Sequence, residues 1–286
     1  MNNVQKIISQ MSAISARPLE NTELIYKYID DSLNKNIKIT FYNWECPPRY
    51  LDQDKRGKKF LNYCVDLKLI AKGEKIDAFT EIPRVIEKAD EEKKILEYLK
   101  STNLKFRFVK IIADTNAFYI TPESIARLGK NRILKAHNAF KQLVVKKIKQ
   151  YPVPADVYLF TKLIKPLQTY YSKAYKKALI SLNRNSNQLI ADSVYNAQFA
   201  RTKKHIGLTD NQQIKTFVNR TIATYAAEGM IFNKLSKTTY FSNCIWLNIE
   251  EVDQRTIEIT NILRRKSGVS NLPMFFANMK NTPKNS

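Results

Sequence analysis

The sequence predicts an α/β protein with a mostly parallel sheet and helices on both faces. Several stretches are continuously apolar and rich in β-branched and aromatic residues, and amphipathic helical segments separate them. Such runs are typical of strands buried on both faces, as the strands of a parallel sheet are. The predicted strands are residues 37–44, 106–114, 156–164 and 238–249. The simplest arrangement of these elements is one Rossmann-like domain.

Helical signals define the rest of the organisation. Residues 1–36 form a helical lead-in to the domain, which extends to residue 267. A long helix begins at Thr121-Pro122-Glu123, because Thr can cap, Pro suits the first helical position and Glu complements the helix dipole. It ends near Gln150, before a Pro-rich turn. The Asn-, Lys- and Pro-containing segment 268–286 is expected to be a flexible tail.

The charge of the chain predicts a polyanionic partner. There are 48 basic and 26 acidic residues, which gives a formal net charge of +22 and a pI near 9.8. A field of this strength attracts nucleic acids. The alternative is AT-rich coding bias, which favours Lys and Asn, although the same bias would also favour Asp and Glu.

Cysteine and histidine content argues against several other classes. The three cysteines, Cys46, Cys64 and Cys244, are far apart and lack CxxC spacing, so neither disulfides nor a zinc site is expected and a reducing cytoplasm fits. Two histidines offer little material for a metal centre. No glycine motif for dinucleotide or NTP phosphates is present, and no signal peptide or membrane span is recognisable. We therefore expect a cytoplasmic protein without metal or membrane attachment.

The helix at 122–150 is almost uniformly cationic, with Glu123 as its one acid. Like charges one turn apart destabilise a helix, and phosphates are the partners that would offset this repulsion. The alternative is an ordinary solvated face. The basic residues are Arg127, Lys130, Arg132, Lys135, Lys141, Lys146, Lys147 and Lys149.

Glu228 is a candidate catalytic carboxylate. It lies fourteen residues after Ile214, close to about four helical turns, and so shares the apolar face of a helix that starts near Asp210. A carboxylate on that face must be paired or hydrogen-bonded, and such groups bind amines or move protons. The alternative is a residue at a helix end that reaches solvent, because Gly229 follows.

The loop after the first strand supplies further candidates. Ligands of open α/β sheets bind at the carboxyl ends of strands, where the sequence has Asn43-Trp44-Glu45-Cys46 followed by two prolines and Arg49. Asn43, Glu45 and Arg49 are candidate substrate contacts, and Cys46 is a candidate nucleophile. The alternative for Cys46 is a buried structural thiol, since no histidine lies nearby to lower its pKa.

From about Asp156 onward the chain resembles the tRNA-dependent cyclodipeptide synthases. The likeness lies in a strand, a tyrosine-bearing helix, further helices, a helix that ends in a glutamate, and a final strand. Tyr171 matches the pocket tyrosine of that family, and Glu228 in the run AEGMIF matches its glutamate. The basic helix is similar to the tRNA-binding helix of the family. The resemblance implies a Rossmann-like fold related to class I aminoacyl-tRNA synthetase catalytic domains.

The resemblance also implies an activity. Two aminoacyl-tRNAs would be used in turn: one aminoacyl group would pass to an enzyme side chain, the second would react with it, and cyclisation would release a diketopiperazine. Glu228 would hold the substrate amine and assist proton transfer, and Tyr171 would help to fix that amine. No cofactor would be required, because the ester is already activated.

Three features depart from the family pattern. The serine nucleophile is absent, and Cys46 is the nearest substitute by position. Thr224 stands four residues before Glu228 where the family has tyrosine, with Tyr225 displaced by one, so both are candidate site residues. Residues 66–101 form an apparent insertion. A divergent member, such as the arginine-using branch, would accommodate these differences.

A non-catalytic basic nucleic-acid-binding protein is the alternative function. It needs only the charge, and it predicts salt-sensitive binding that does not depend on Glu228 or Cys46. The oligomeric state stays open between monomer and homodimer.

Overall fold

The computed structural model describes residues 2–15, 18–45, 82–112, 141–142, 144–184, 192–206, 209–236, 243–249 and 273–277. Helices α1 (Asn3–Ala13) and α2 (Thr22–Asn34) form the predicted lead-in. A capping box starts α1, because the Asn2 side chain accepts from the Gln5 backbone N–H at 2.8 Å and the Gln5 side chain accepts from the Asn2 N–H at 3.1 Å.

Strands β1 (Ile39–Glu45) and β2 (Phe106–Ile112) are joined through helix α3 (Ile82–Ser101). Helix α3 buries Ile95, Leu96 and Leu99, which recur at helical spacing and pack in the same cluster as α1 and α2. It therefore occupies the position of a crossover helix between two parallel strands. The interpretation of 66–101 as an insertion stays a prediction.

Strand β3 (Ala155–Leu159) is shorter than the predicted strand 156–164. Helix α4 (Phe160–Leu163) and a 3₁₀ turn at Lys165–Leu167 follow directly. Phe160 and Ile164 are buried and four residues apart, while Lys162 is exposed. A helical turn achieves this, whereas a strand would place all three side chains on one face.

Three helices and two strands complete the described chain. Helices α5 (Gln168–Arg184), α6 (Asp192–Ile206) and α7 (Asn211–Ser236) precede strands β4 (Cys244–Ile249) and β5 (Met274–Ala277). The prediction of a flexible tail over 268–286 is wrong for residues 274–277, which form strand β5. Met274, Phe275 and Ala277 are buried, and the backbone of Met274 exchanges two hydrogen bonds with Glu20, so this edge strand is paired on both sides.

The sheet has the order β3-β2-β1-β4-β5, and every pairing is parallel. Helices α1, α2 and α3 cover one face, where Phe41, Phe108 and Phe275 pack. Helices α4, α5 and α7 contribute to the cluster on the other face, around Tyr42 and Trp246. This doubly wound arrangement confirms the predicted fold class.

Asparagine supplies the left-handed backbone positions of the described chain. Asn21, Asn36, Asn103 and Asn243 all have φ between 55° and 64°. Asn tolerates this region better than other residues with a Cβ, because its short polar side chain can hydrogen-bond locally. Three of the four stand shortly before β1, β2 and β4, so part of the high Asn content has a structural role. No described helix is long and apolar enough to cross a membrane.

Candidate active site at the carboxyl edge of the sheet

The strand order reverses between β1 and β4, and ligands of open α/β sheets bind in the crevice at such a point. The last paired residues of these two strands are Tyr42 and Trp246. One residue further on, the Asn43 side chain donates from Nδ2 to the carbonyl of Leu247 at 3.0 Å. The side chain of Asn43 therefore bridges the two strands at the point where their ladder ends.

The side-chain oxygen of Asn43 is available to a ligand. The residue is 6% exposed, and its Oδ1 is buried without a hydrogen-bond partner among the residues that the structure describes. Leaving such an acceptor unsatisfied costs about 1–3 kcal/mol. Because its Nδ2 is held by Leu247, Oδ1 is a fixed acceptor that an N–H or O–H group of a ligand in the crevice could satisfy.

Aromatic side chains connect three elements at this edge. The ring of Phe160, directly after β3, lies 5.1 Å from Trp44 near the end of β1 and 6.2 Å from Tyr171 in the first turns of α5. Both contacts are edge-to-face, an arrangement that ring quadrupoles favour. Tyr171 is half-buried and packs against the cluster of Tyr42 and Trp246. The structure thus brings Tyr171 close to the end of β1.

Glu228 is buried, so the structure selects the first of the two alternatives for this residue. It is 5% exposed, in a stretch of α7 where every residue from Thr221 to Gly229 is buried. Ile231, one turn later on the same face, packs against the sheet cluster of Trp246. Glu228 lies about 4.5 Å along the helix axis from Ile231.

The two neighbours of Glu228 on α7 have different environments. Thr224 is 1% exposed, and its hydroxyl donates to the carbonyl of Arg220 at 2.9 Å, a bond within the helix. Tyr225 is 5% exposed and packs in the cluster formed by α5, α6 and α7, with Ala178 and Leu182. Neither residue belongs to the sheet cluster that contains Ile231, so their predicted roles in the site stay predictions.

The loop candidates are only partly described. Glu45 is the final residue of β1, and Cys46 and Arg49 lie outside the described residues. The described thiol, Cys244, is 3% exposed, and burial raises its pKa from 9.0 to about 12. A buried thiol with so high a pKa is unreactive; the assignment of Cys46 as the nucleophile stays a prediction.

Helix α5 carries an exposed cationic surface, which we call the α5 basic face. It consists of Lys173, Lys176, Lys177 and Arg184. No acidic residue occurs between Asp156 and Asp192, so this surface has no carboxylate within its own helix.

The predicted basic helix at 122–150 is described only near its end. Residues 141–142 and 144–148 are helical; Lys146 is exposed, and Lys141 and Lys147 are half-buried. The remaining predicted RNA contacts lie outside the described residues, and they are Arg127, Lys130, Arg132 and Lys135.

One buried ionic cluster was not predicted. Lys110 of β2 contacts Glu92 of α3 with an Nζ–Oε1 distance of 2.8 Å, and both side chains are 1% exposed. The hydroxyl of Tyr151 donates to the other oxygen of Glu92. The available signal was a lysine in the middle of an apolar strand, where a charge requires a partner. The described residues contain no group of three His, Cys, Asp or Glu residues that could hold a metal ion.

Three solved structures are similar to this chain over nearly its whole length, at low sequence identity. The tryptophanyl-tRNA synthetase of Plasmodium falciparum shares 9% identity with a TM-score of 0.40, over 96% of this chain and 60% of that chain. The tyrosyl-tRNA synthetase of Leishmania major in complex with tyrosinol shares 11% with a TM-score of 0.45, over 97% and 31%. A tryptophanyl-tRNA synthetase homolog from Entamoeba histolytica shares 11% with a TM-score of 0.40, over 96% and 58%.

This chain therefore spans less than two thirds of the length of each of these three proteins. No family model matches the chain, and no curated protein matches it. Each of the three shares at most 11% identity with this chain at a TM-score below 0.5, so none of them shows its family or its activity.

Proposed function

We propose that this chain is an aminoacyl-tRNA-using transferase that joins two aminoacyl groups into a cyclic dipeptide. The observation that supports the proposal most directly is the burial of Glu228 on the helix that packs against the sheet. A buried carboxylate on the helix that packs against a doubly wound sheet suits the recognition of a substrate ammonium group, because a hydrogen bond between two charged groups is strong in a site shielded from water.

The surroundings of the crevice fit an aminoacyl group. Tyr171 and Trp44, linked through Phe160, form an aromatic wall that can contact an amino-acid side chain. The buried Oδ1 of Asn43 can accept from a substrate N–H or O–H group. The α5 basic face supplies positive charge for the phosphates of tRNA.

The proposed reaction needs no external activation. A nucleophile, for which Cys46 is the candidate, attacks the ester carbonyl of the first aminoacyl-tRNA; the C–O bond to the terminal ribose breaks, and the ribose hydroxyl takes the proton of the thiol. The amine of the enzyme-bound aminoacyl group then attacks the ester carbonyl of the second aminoacyl-tRNA; an amide forms, the C–O bond to that ribose breaks, and the ribose hydroxyl of the released tRNA takes the amine proton. Attack of the remaining amine on the thioester closes the ring and returns the thiol. Splitting acyl transfer into such steps replaces one high barrier with lower ones.

The test is incubation of the purified protein with a mixture of aminoacyl-tRNAs. The release of each amino acid from tRNA is measured, and the small products are analysed by mass spectrometry. The wild-type chain is expected to consume particular aminoacyl-tRNAs and to form a product with the mass of two residues. Glu228→Gln keeps the side-chain size and removes the charge, and it is expected to lower the transfer rate by at least roughly 100-fold, the effect of a lost acid–base group.

The matched control is Glu23→Gln. Glu23 is exposed in the first turn of α2, on the opposite face of the sheet, and its substitution changes the net charge by the same amount. The control is expected to keep wild-type activity, and unchanged RNA binding and thermal unfolding of Glu228→Gln would separate a catalytic from a folding defect. If no amino acid leaves any aminoacyl-tRNA, the proposal is wrong and a non-catalytic RNA-binding role is favoured. Deacylation that yields only free amino acid would show hydrolysis and contradict the proposed transfer, whereas a linear dipeptide would retain the transferase class and exclude cyclisation.

A further inference from the structure

A cavity lies between helices α5 and α7. Its volume is about 280 Å³, and its lining includes Asn183 of α5 and Gln212, Lys215, Asn219 and Arg220 of α7. We call it the α5–α7 cleft. Lys215 precedes Glu228 by thirteen residues, so the cleft is displaced from that carboxylate by about 20 Å along the helix axis.

The α5–α7 cleft is positively charged. Lys215 is exposed and Arg220 is half-buried, and the described residues that line the cleft include no carboxylate. Gln212 and Lys215 lie in the first turns of α7, whose start is capped by Asp210, since the Gln213 N–H donates to Asp210 Oδ1 at 2.7 Å. The volume is below the roughly 300–1,000 Å³ of pockets that enclose a drug-sized ligand. It suits a small anionic group.

A hydrogen-bond chain runs through two residues that line the cleft, Asn183 and Asn219. The hydroxyl of Tyr195 on α6 donates to Asn219 Oδ1 at 2.8 Å, and Asn219 Nδ2 donates to Asn183 Oδ1 at 2.9 Å. Asn219 is 2% exposed, so its amide orientation is fixed by these two bonds. Since the oxygen of Asn183 is used as an acceptor, its N–H groups remain as the hydrogen-bonding end of that side chain. The chain thus ends in donors, which an anion accepts from.

We propose that the α5–α7 cleft binds a backbone phosphate of RNA. This inference rests on the proposed RNA partner but not on the chemistry at Glu228. Asn183 adjoins Arg184 of the α5 basic face, so a strand whose phosphate occupies the cleft continues onto a surface of exposed cations. A chain of phosphates, rather than one isolated phosphate, matches this continuity of charge.

The experiment compares two isosteric changes. Gln212→Glu places a carboxylate in the cleft at a helix start, where an acid does not disturb folding. Gln5→Glu makes the same change in the first turn of α1, which belongs to the other helical layer. Binding of fluorescently labelled uncharged tRNA is measured by anisotropy between about 50 and 200 mM salt. We expect Gln212→Glu to weaken binding roughly tenfold and Gln5→Glu to leave it unchanged.

Two further variants test the donors themselves. Lys215→Gln is expected to reduce the slope of log affinity against log salt by close to one, the contribution of one phosphate contact. Lys27→Gln, an exposed lysine on α2, is the control and is expected to keep the wild-type slope. Asn183→Asp keeps the acceptor for Asn219 and replaces the donors, and it is expected to weaken binding as Gln212→Glu does.

The outcomes separate this inference from the proposed function. If Gln212→Glu binds tRNA as tightly as Gln5→Glu, the cleft does not hold RNA, whether or not the wild-type chain transfers amino acids. If Gln212→Glu weakens tRNA binding but the wild-type chain releases no amino acid from tRNA, the cleft binds RNA and the proposed transfer reaction is wrong. Titration of adenosine monophosphate provides the second arm: binding of this nucleotide that is lost in Gln212→Glu, with tRNA binding unchanged, would assign the cleft to a free nucleotide and overturn the inference.

Discussion

Replacement of Lys110 by methionine should lower the free energy of unfolding more than the same replacement of any exposed lysine. In the wild-type protein Lys110 and Glu92 are each 1% exposed and their charged atoms are 2.8 Å apart. At an effective dielectric constant of about 20 the attraction at that distance is about 6 kcal/mol, which roughly offsets a desolvation cost of several kcal/mol per ion. The intact pair is therefore close to neutral for stability. Removing one partner leaves the other charge buried, which costs about 3–5 kcal/mol.

The assay is urea unfolding at pH 7, followed by circular dichroism. Lys110→Met and Glu92→Gln should each lower the free energy of unfolding by about 3–5 kcal/mol, while the double variant should lose much less than the sum. In the double variant the amide oxygen introduced at position 92 can still accept from the Tyr151 hydroxyl. Lys93→Met is the control, because Lys93 pairs with Glu97 at 3.9 Å with both side chains about half exposed, and such pairs contribute at most about 1 kcal/mol. A loss below about 1 kcal/mol for Lys110→Met, or strictly additive single losses, would refute this account of the pair.

Two further predictions concern buried polar groups. Burial raises the pKa of the Cys244 thiol from 9.0 to about 12, so the neutral thiol stabilises the fold fully below pH 9, and this contribution is lost as the pH rises from about 9 to about 12. Between pH 8 and pH 10 the wild-type protein should lose about 1.4 kcal/mol more than Cys244→Ala, measured by urea unfolding at both values; equal losses would show that the thiol titrates normally. Tyr195→Phe removes the donor to Asn219 Oδ1 and should cost about 1–3 kcal/mol in the same assay. A neutral effect would mean that this buried acceptor is satisfied elsewhere.

Much of the fold follows from local patterns in the sequence. The continuous apolar runs at β1 and β2 and the helical spacing around Ile95 identify the type of each element, because burial repeats with the period of the backbone. The position of Glu228 on the buried face of α7 follows from the same periodicity. The apolar run after Asp156 was predicted as strand through residue 164, whereas the strand ends at Leu159, since a short apolar run does not distinguish a strand from a helical turn.

Contacts between residues that are distant in the sequence could not be predicted from local patterns. Asn43 was a candidate from its place after a strand, but its bond to Leu247, 204 residues away, depends on β4 lying beside β1. The contact of Lys110 with Glu92 depends on α3 folding back over β2. The α5–α7 cleft needs two helices that are adjacent in space and separated in the chain by α6.

The fold class, the positive charge and the place of residue 228 on the apolar face of its helix follow from the amino-acid sequence, because each depends on composition or on the local period of one element. The sequence left open whether the Glu228 carboxylate reaches solvent, and the structure shows that it is buried. The strand order β3-β2-β1-β4-β5, and with it the point between β1 and β4 where the order reverses, depends on the packing of the whole chain. The same packing makes residues 274–277 the edge strand beside β4. The packing of the whole core selects which strands are neighbours. A segment of only four apolar residues therefore forms a strand only where an unpaired strand edge is available to it.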